Sequence, residues 1–178
     1  MRVISGKFRG KKLSSPTDAT IRPTLDRVKE TLFNILAPRL NGCRFLDLFA
    51  GSGSIGIEAL SRNASEVVFV EKNAECRKLL EKNLRSVSLS AEVLKTDFRD
   101  ALSLLKGKKF DVIYVDPPYR AGYYEAALND IAKFELLEQG GIVVCEHTTD
   151  EEIADSNAFE VYDRRKIGIV RLSFLRWK

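Results

Sequence analysis

The residues Asp116-Pro117-Pro118-Tyr119 close an apolar run, Val112-Ile113-Tyr114-Val115. Asp116 can accept a hydrogen bond from an N–H. Pro117 and Pro118 have no backbone donor, so their carbonyls stand as acceptors in a stiff loop that pairs poorly with itself. Tyr119 offers a flat face on which a ring can stack. At the C-terminal end of a strand, such residues are equipment for holding a planar amine, such as the exocyclic amino group of a nucleobase. The same four residues also fit a strand end followed by a Pro-Pro turn, and their surroundings must choose between the two.

A second set of residues follows an earlier apolar run, in Leu46-Asp47-Leu48-Phe49-Ala50-Gly51-Ser52-Gly53-Ser54-Ile55-Gly56. Gly51, Gly53 and Gly56 fit G-x-G-x-x-G between a strand and a helix, where glycine allows a tight turn and a close approach of backbone to ligand. Glu71 ends the next run, 20 residues beyond Gly51, and an acid at that offset can take both hydroxyls of a ribose. A dinucleotide would put its pyrophosphate at the helix N-terminus, where Asp47 is an unfavourable neighbour. Asp47 suits a cationic ligand with a free amine, and S-adenosylmethionine carries both an α-ammonium and a sulfonium. Asp47 also fits a turn-bonding role. Asp97, at the end of a third run, can accept from an adenine amino group while Phe98 covers the ring; Asp97 also fits the N-cap of the next helix, and both roles can hold.

Positioning these residues falls to alternating elements. Strand-like runs occur at 44–49, 66–71, 91–95, 110–115 and 141–146, with helical stretches near 54–62, 73–86, 98–105 and 121–134. This alternation predicts βαβ units and a parallel sheet buried on both faces. Residues 158–163 and 167–176 read as a closing antiparallel pair around Arg164-Arg165-Lys166. At the other end, residues 2–13 read as two short strands around Gly6 and Gly10, followed by a polar loop over 14–20 with Pro16. Pro23 opens a helix that ends before Pro38. The expected organisation is an N-terminal β-hairpin extension, 1–20, and an α/β sandwich, 21–178.

The length suits one domain with a small appendage. Cys43, Cys76 and Cys145 are odd in number and lack C-x-x-C spacing, which points to reduced thiols in a cytosol rather than disulfides or zinc. A single histidine, His147, excludes a multi-histidine metal centre, and no metal is expected. No signal peptide or membrane span is read, so a cytoplasmic location is expected. The net charge of +4 conceals a split: residues 1–40 carry +6, residues 164–178 carry +6, and the middle carries −8. Basic ends on an acidic centre suggest a polyanion touched by the termini, or hairpins solvated by Lys and Arg.

Taken together, these motifs resemble the class I S-adenosylmethionine-dependent methyltransferases. Residues 47–53 match that superfamily's cofactor loop, and Asp116-Pro117-Pro118-Tyr119 matches the [DNS]-P-P-[YFW] motif of enzymes that methylate exocyclic or amide nitrogens. The resemblance implies a Rossmann-like sandwich with a mostly parallel seven-stranded sheet and an antiparallel C-terminal hairpin. It implies cofactor contacts at Asp47, Phe49, Gly51, Ser52, Gly53, Glu71, Asp97 and Phe98, and a catalytic role for Asp116, Pro117, Pro118 and Tyr119.

A narrower resemblance covers nearly the whole chain. The opening Arg2–Leu13 segment, the Ile21–Asn34 segment and the Phe174–Lys178 end are similar to the RsmD family, which methylates the N2 amine of a guanosine in small-subunit ribosomal RNA. Arg2, Lys7, Arg9, Lys11, Lys12, Arg22 and Arg27 then become candidates for an RNA-facing surface. The implied partner is ribosomal RNA within an assembling or assembled subunit, bound by a monomer. Asp-Pro-Pro-Tyr also serves adenine N6 in DNA methyltransferases, but those usually carry a target-recognition insertion that this chain has no room for. An NAD-linked oxidoreductase and a non-catalytic RNA-binding module are the alternatives from other classes.

Overall fold

In the computed structural model, β1 (Arg44–Asp47) and β4 (Phe110–Val115) lie side by side at the middle of the sheet, running parallel with Asp47 opposite Tyr114. The structure describes residues 1–15 and 22–178, with side chains from 26 onward in the second stretch. Outward from β1 lie β2 (Glu66–Val70) and β3 (Glu92–Leu94); outward from β4 lie β5 (Leu137–Thr148), β7 (Val170–Trp177) and β6 (Phe159–Ile167). The first five strands are parallel, and β7 joins antiparallel to both β5 and β6. The alternation of apolar runs predicts the βαβ units and parallel sheet, and the resemblance implies this Rossmann-like, mostly parallel seven-stranded sheet with its antiparallel end.

Helices cover both faces because the strands bury both faces. On one side, α1 (Arg22–Leu40), α2 (Ser54–Ser61) and α3 (Ala74–Ser86) pack Leu32, Phe33, Leu36, Ile57 and Leu80 against Phe45, Phe69 and Tyr114. On the other, α4 (Phe98–Leu104) and α5 (Tyr124–Lys133) pack Leu102, Leu128 and Ile131 against Leu46, Val68, Ile113 and Val115. Among the described residues, no helix is long and apolar enough to cross a membrane.

Three boundaries differ from expectation. α1 runs through Pro38 to Leu40; proline removes one donor there, but Leu36 and Leu40 are buried, and their packing carries the last turn. The closing hairpin turns at Gly168-Ile169, where Ile167 pairs with Val170. Arg164-Arg165-Lys166 therefore lie within β6, with Arg164 Nη2 bonded to the Ile153 carbonyl at 3.0 Å and Arg165 paired with Asp163. α5 begins only at Tyr124, because Arg120 and Gly122 both take positive φ in the preceding turn.

The N-terminal hairpin is reduced to one antiparallel bridge, Arg2 with Lys12. The expected boundary after residue 20, and the polar loop from residue 16 on, fall outside the described residues. What anchors residues 1–15 is α2. Glu58, with no exposed side-chain surface, accepts from the Ile4 N–H at 2.8 Å and the Ser5 N–H at 2.9 Å. The same carboxylate pairs with Arg62 at 2.8 Å and with buried Lys29 at 3.4 Å, and Lys29 donates to the Arg2 carbonyl. Val3 and Leu13 complete the attachment by joining the core.

Removing one partner of such a buried network leaves the other charge stranded, at a cost of about 3–5 kcal/mol. Glu58→Ala should lower the unfolding free energy by that order in urea titrations, by orphaning Lys29 and two amides. A loss below about 1 kcal/mol would contradict this role.

Candidate active site

The sheet topology turns around between β1 and β4, the place where open α/β sheets bind ligands beyond their strand ends. From β1 the chain enters the 48–53 loop; from β4 it enters Asp116–Tyr119. Among the described residues, two cavities meet at Asp116 and Pro117.

The larger cavity has a volume of about 790 Å³, within the usual range for cofactor sites. Its polar lining includes Glu71, Asp97 and Asp116, and its apolar lining includes Phe49, Phe98 and Tyr123. Phe98 lies 5.2 Å from Phe49 and 5.1 Å from Tyr123, centroid to centroid, forming an aromatic wall. The residues present fit a nucleoside with a polar tail: acceptors for ribose and amino groups, a flat apolar wall for a ring, and a glycine at the loop's crest.

Local folding explains how each part is held. Gly53 caps α2 in the left-handed region, φ 77°, which glycine adopts without steric penalty. At Gly56 a Cβ would come within 2.2 Å of the Phe69 ring, so only glycine lets α2 sit this close to β2. Glu71 Oε2 accepts from the Gly51 N–H at 2.8 Å and Oε1 from the Asn73 N–H at 2.7 Å. Glu71 thus ties the glycine loop to the start of α3 while each oxygen keeps a further lone pair for the cavity. Asp97 caps α4, accepting from the Arg99 N–H at 3.2 Å, and also pairs with Lys72 at 3.3 Å.

The structure brings Phe49, Gly51, Glu71, Asp97, Phe98, Asp116, Pro117 and Pro118 around the larger cavity. Ser52 and Gly53 lie in the loop but not on that wall. The Ser52 carbonyl accepts from Asn83, which also holds Ser14, so the N-terminal segment is fastened beside the glycine loop. Asp47 is not on the wall either: it is 1% exposed beneath the loop, and its Oδ2 accepts from the Gly56 N–H at 3.0 Å. Burial pushes its carboxyl up to about 7, while the Gly56 N–H pulls the other way.

The smaller cavity, about 160 Å³, adds Tyr119, Tyr124, Glu146 and His147. Tyr119 is 60% exposed; its hydroxyl donates to Asp150 at 3.2 Å, and the Arg120 guanidinium lies 4.9 Å from its ring centroid. Asp116 keeps solvent-exposed surface where the two cavities meet. Desolvation there, then the nearby Glu146 and Asp47 charges, hold its carboxyl well above the ordinary range. The Ala121 N–H donates to the Pro118 carbonyl at 3.0 Å. His147 is a satisfied core residue: Nδ1 faces the Thr148 and Glu151 carbonyls, which assigns it the proton, and Nε2 faces the Ser173 hydroxyl at 2.8 Å. No cluster able to hold a metal ion occurs among the described residues.

Arg2, Lys7, Arg9, Lys11, Lys12 and Arg27 are all exposed; the Arg22 side chain lies outside the described residues. Sequence reasoning missed Tyr123, Lys72 and Glu146. Glu146 carries the signal that singled out Glu71 and Asp97, an acid at the end of a buried strand.

A family model described as Conserved hypothetical protein 95 matches residues 1–176. The Haemophilus influenzae protein Ribosomal RNA small subunit methyltransferase D is 36% identical over 174 residues, covering 96% of this chain and 90% of that protein. The chain belongs to the RsmD family. The Escherichia coli protein of the same name is 35% identical over 185 residues, 94% of this chain and 92% of that protein. The solved structure of the Escherichia coli protein yhhF superposes with a TM-score of 0.88 at 32% identity, covering 100% of this chain and 98% of that one.

Asp47 sets a pH dependence. Its folded carboxyl titrates near 7 against about 4 in an unfolded chain, so the fold holds the proton more tightly and loses stability as pH rises between those values. Asp47→Asn keeps an acceptor for Gly56 without the titration. Urea midpoints should show the variant gaining on the wild type from about pH 4 to about pH 7, then levelling; a pH-independent difference would contradict the assignment.

Proposed function

We propose that this chain transfers a methyl group from S-adenosylmethionine to the exocyclic N2 amine of a guanosine in small-subunit ribosomal RNA. The observation that carries the reading is the meeting of two cavities at Asp116 and Pro117. One has the size and lining for the methyl donor; the other opens on the acceptors for an amine. The names of the family relatives support ribosomal RNA as substrate.

When bound, S-adenosylmethionine supplies an electrophilic methyl group on a sulfonium. Glu71 would hold the ribose, Asp97 the adenine amine, and Phe49 with Phe98 the adenine face. Gly51, Ser52 and Gly53 would let the backbone approach the donor, and Asp47 would fix that loop from beneath while placing negative charge under a cationic ligand. Asp116 and the Pro117 carbonyl would accept the two N–H bonds of the target amine, drawing its lone pair out of conjugation and aiming it at the methyl group. Pro118, its carbonyl engaged by Ala121, would stiffen the turn. Tyr119 would stack on the extruded base. As the N–C bond forms, the bond from sulfur to the methyl group breaks and S-adenosylhomocysteine leaves; the nitrogen then sheds its proton to water, so positioning and electrostatics supply the catalysis.

Arg2, Lys7, Arg9, Lys11, Lys12, Arg22 and Arg27 would face RNA phosphates from the segment fastened beside the glycine loop, each contact steepening the salt dependence of binding. The reading is completed by a cytoplasmic monomer acting on an assembling or assembled small subunit, with residues 1–20 as the RNA-facing extension of a catalytic domain over 21–178.

Asp116→Ala should bind S-adenosylmethionine within a few-fold of wild type, measured calorimetrically, yet transfer methyl groups at least ~100-fold more slowly, the scale of a lost transition-state contact. Transfer within a few-fold of wild type would remove Asp116 from this role, and a non-catalytic RNA-binding module would show no transfer in either protein.

A further inference from the structure

The smaller cavity holds a specificity determinant for the reaction proposed above, and this inference rests on that reading. Glu146, near the C-terminal end of β5, lines the cavity beside Asp116 and Pro117. Its Oε2 accepts from the hydroxyl of Tyr114, which is buried under the site. That bond fixes the carboxylate and leaves Oε1 for another donor.

The donors around this cavity are spent on the protein itself. The Tyr124 hydroxyl donates to the Glu146 main-chain carbonyl at 2.6 Å, the Tyr119 hydroxyl to Asp150 at 3.2 Å, and the Thr148 hydroxyl to Asp150. His147 is engaged at both ring nitrogens. The polar capacity left facing the cavity is acceptor: the Glu146, Asp116 and Glu151 carboxylates and the Pro117 carbonyl, of which Glu146 and Asp116 stand beside Pro117. A volume of about 160 Å³ admits one flat heterocycle, and its acceptors demand an edge of donors.

Guanine is the RNA base with such an edge. Its exocyclic N2 amine adjoins a ring N–H, at N1. In adenine and cytosine the ring nitrogen beside the exocyclic amine is an acceptor, which would face a carboxylate lone pair to lone pair. We infer that Glu146 reads the guanine N1–H while Asp116 and the Pro117 carbonyl hold the adjacent N2 amine. Glu146 thereby makes the choice between guanine N2 and adenine N6 that Asp-Pro-Pro-Tyr leaves open.

The test uses small-subunit RNA carrying either guanosine or 2-aminopurine riboside at the methylated position. 2-Aminopurine keeps the exocyclic amine but has an acceptor at N1. Wild-type protein should favour guanosine in kcat/KM on the order of 10–100-fold, the usual value of a paired base-edge contact. In Glu146→Gln the carboxamide can donate to N1 of 2-aminopurine, so the preference should collapse to within about threefold, with cofactor affinity unchanged. The carbonyl oxygen missing from 2-aminopurine affects both proteins equally and cancels in this comparison. An unchanged preference in Glu146→Gln, whatever the overall rate, overturns the inference, as does equal use of both bases by wild type. Should Glu146→Gln fail to fold, Glu146→Asp must lower transfer to guanosine more than transfer to 2-aminopurine; equal losses overturn the inference. Wild-type methylation of adenosine or cytidine in place of guanosine in unmodified RNA overturns the parent reading instead, and shows before any variant is made.

Discussion

The parallel pairing of β1 with β4 is the constraint on which the site depends. Asp47 stands opposite Tyr114, and the Leu48 N–H donates to the Tyr114 carbonyl at 3.0 Å, so the two strands end level and their loops emerge together. A one-residue slip would reverse which side chains face each core and part the loops. Slippage is resisted by large side chains sealed on both faces, Phe45 and Tyr114 on one and Leu46 and Ile113 on the other. The meeting of the two cavities at Asp116 and Pro117 is therefore a consequence of core packing a few residues upstream.

The same register explains the electrostatics. Asp47, Tyr114 and Glu146 project to one face of adjacent strands, and Asp116 follows Tyr114 by one pleat. Three carboxylates are thus gathered around the junction of the cavities, Asp47 buried, Glu146 half-buried and Asp116 with exposed surface, and desolvation with the Glu146 and Asp47 charges raises the Asp116 carboxyl. The fold concentrates negative charge where the two cavities meet, while Arg2, Lys7, Arg9, Lys11, Lys12 and Arg27 are exposed.

Much of this was legible in the residues because the signals are local. A strand end, a glycine turn and an acid 20 residues on are contiguous patterns, and the Gly51–Glu71 hydrogen bond of 2.8 Å realises that spacing directly. Asp97 needed no choice between capping α4 and lining the cavity, since the structure has it do both. Non-local features were not legible. Glu146 meets Asp116 only through the register of β4 on β5, which includes an irregularity between Phe110 and Val112. α1 overrides Pro38 because tertiary burial outweighs one missing donor. Basic residues 164–166 read as a turn by composition, yet they extend β6 because pairing with β7 continues to Ile167. Of the two roles open to Asp47, neighbour of a cationic ligand or bond to the turn, the structure shows the second, burying it under the glycine loop with Gly56 as donor.

The central claim is that the amine held at Asp116 belongs to guanine. The most direct measurement is nucleoside mass mapping of small-subunit RNA, naked and in its protein complexes, after incubation with this protein and isotope-labelled S-adenosylmethionine. The expected product is N2-methylguanosine at a single position. Label in N6-methyladenosine, or RNA left unlabelled by a folded protein that binds the donor, would contradict it.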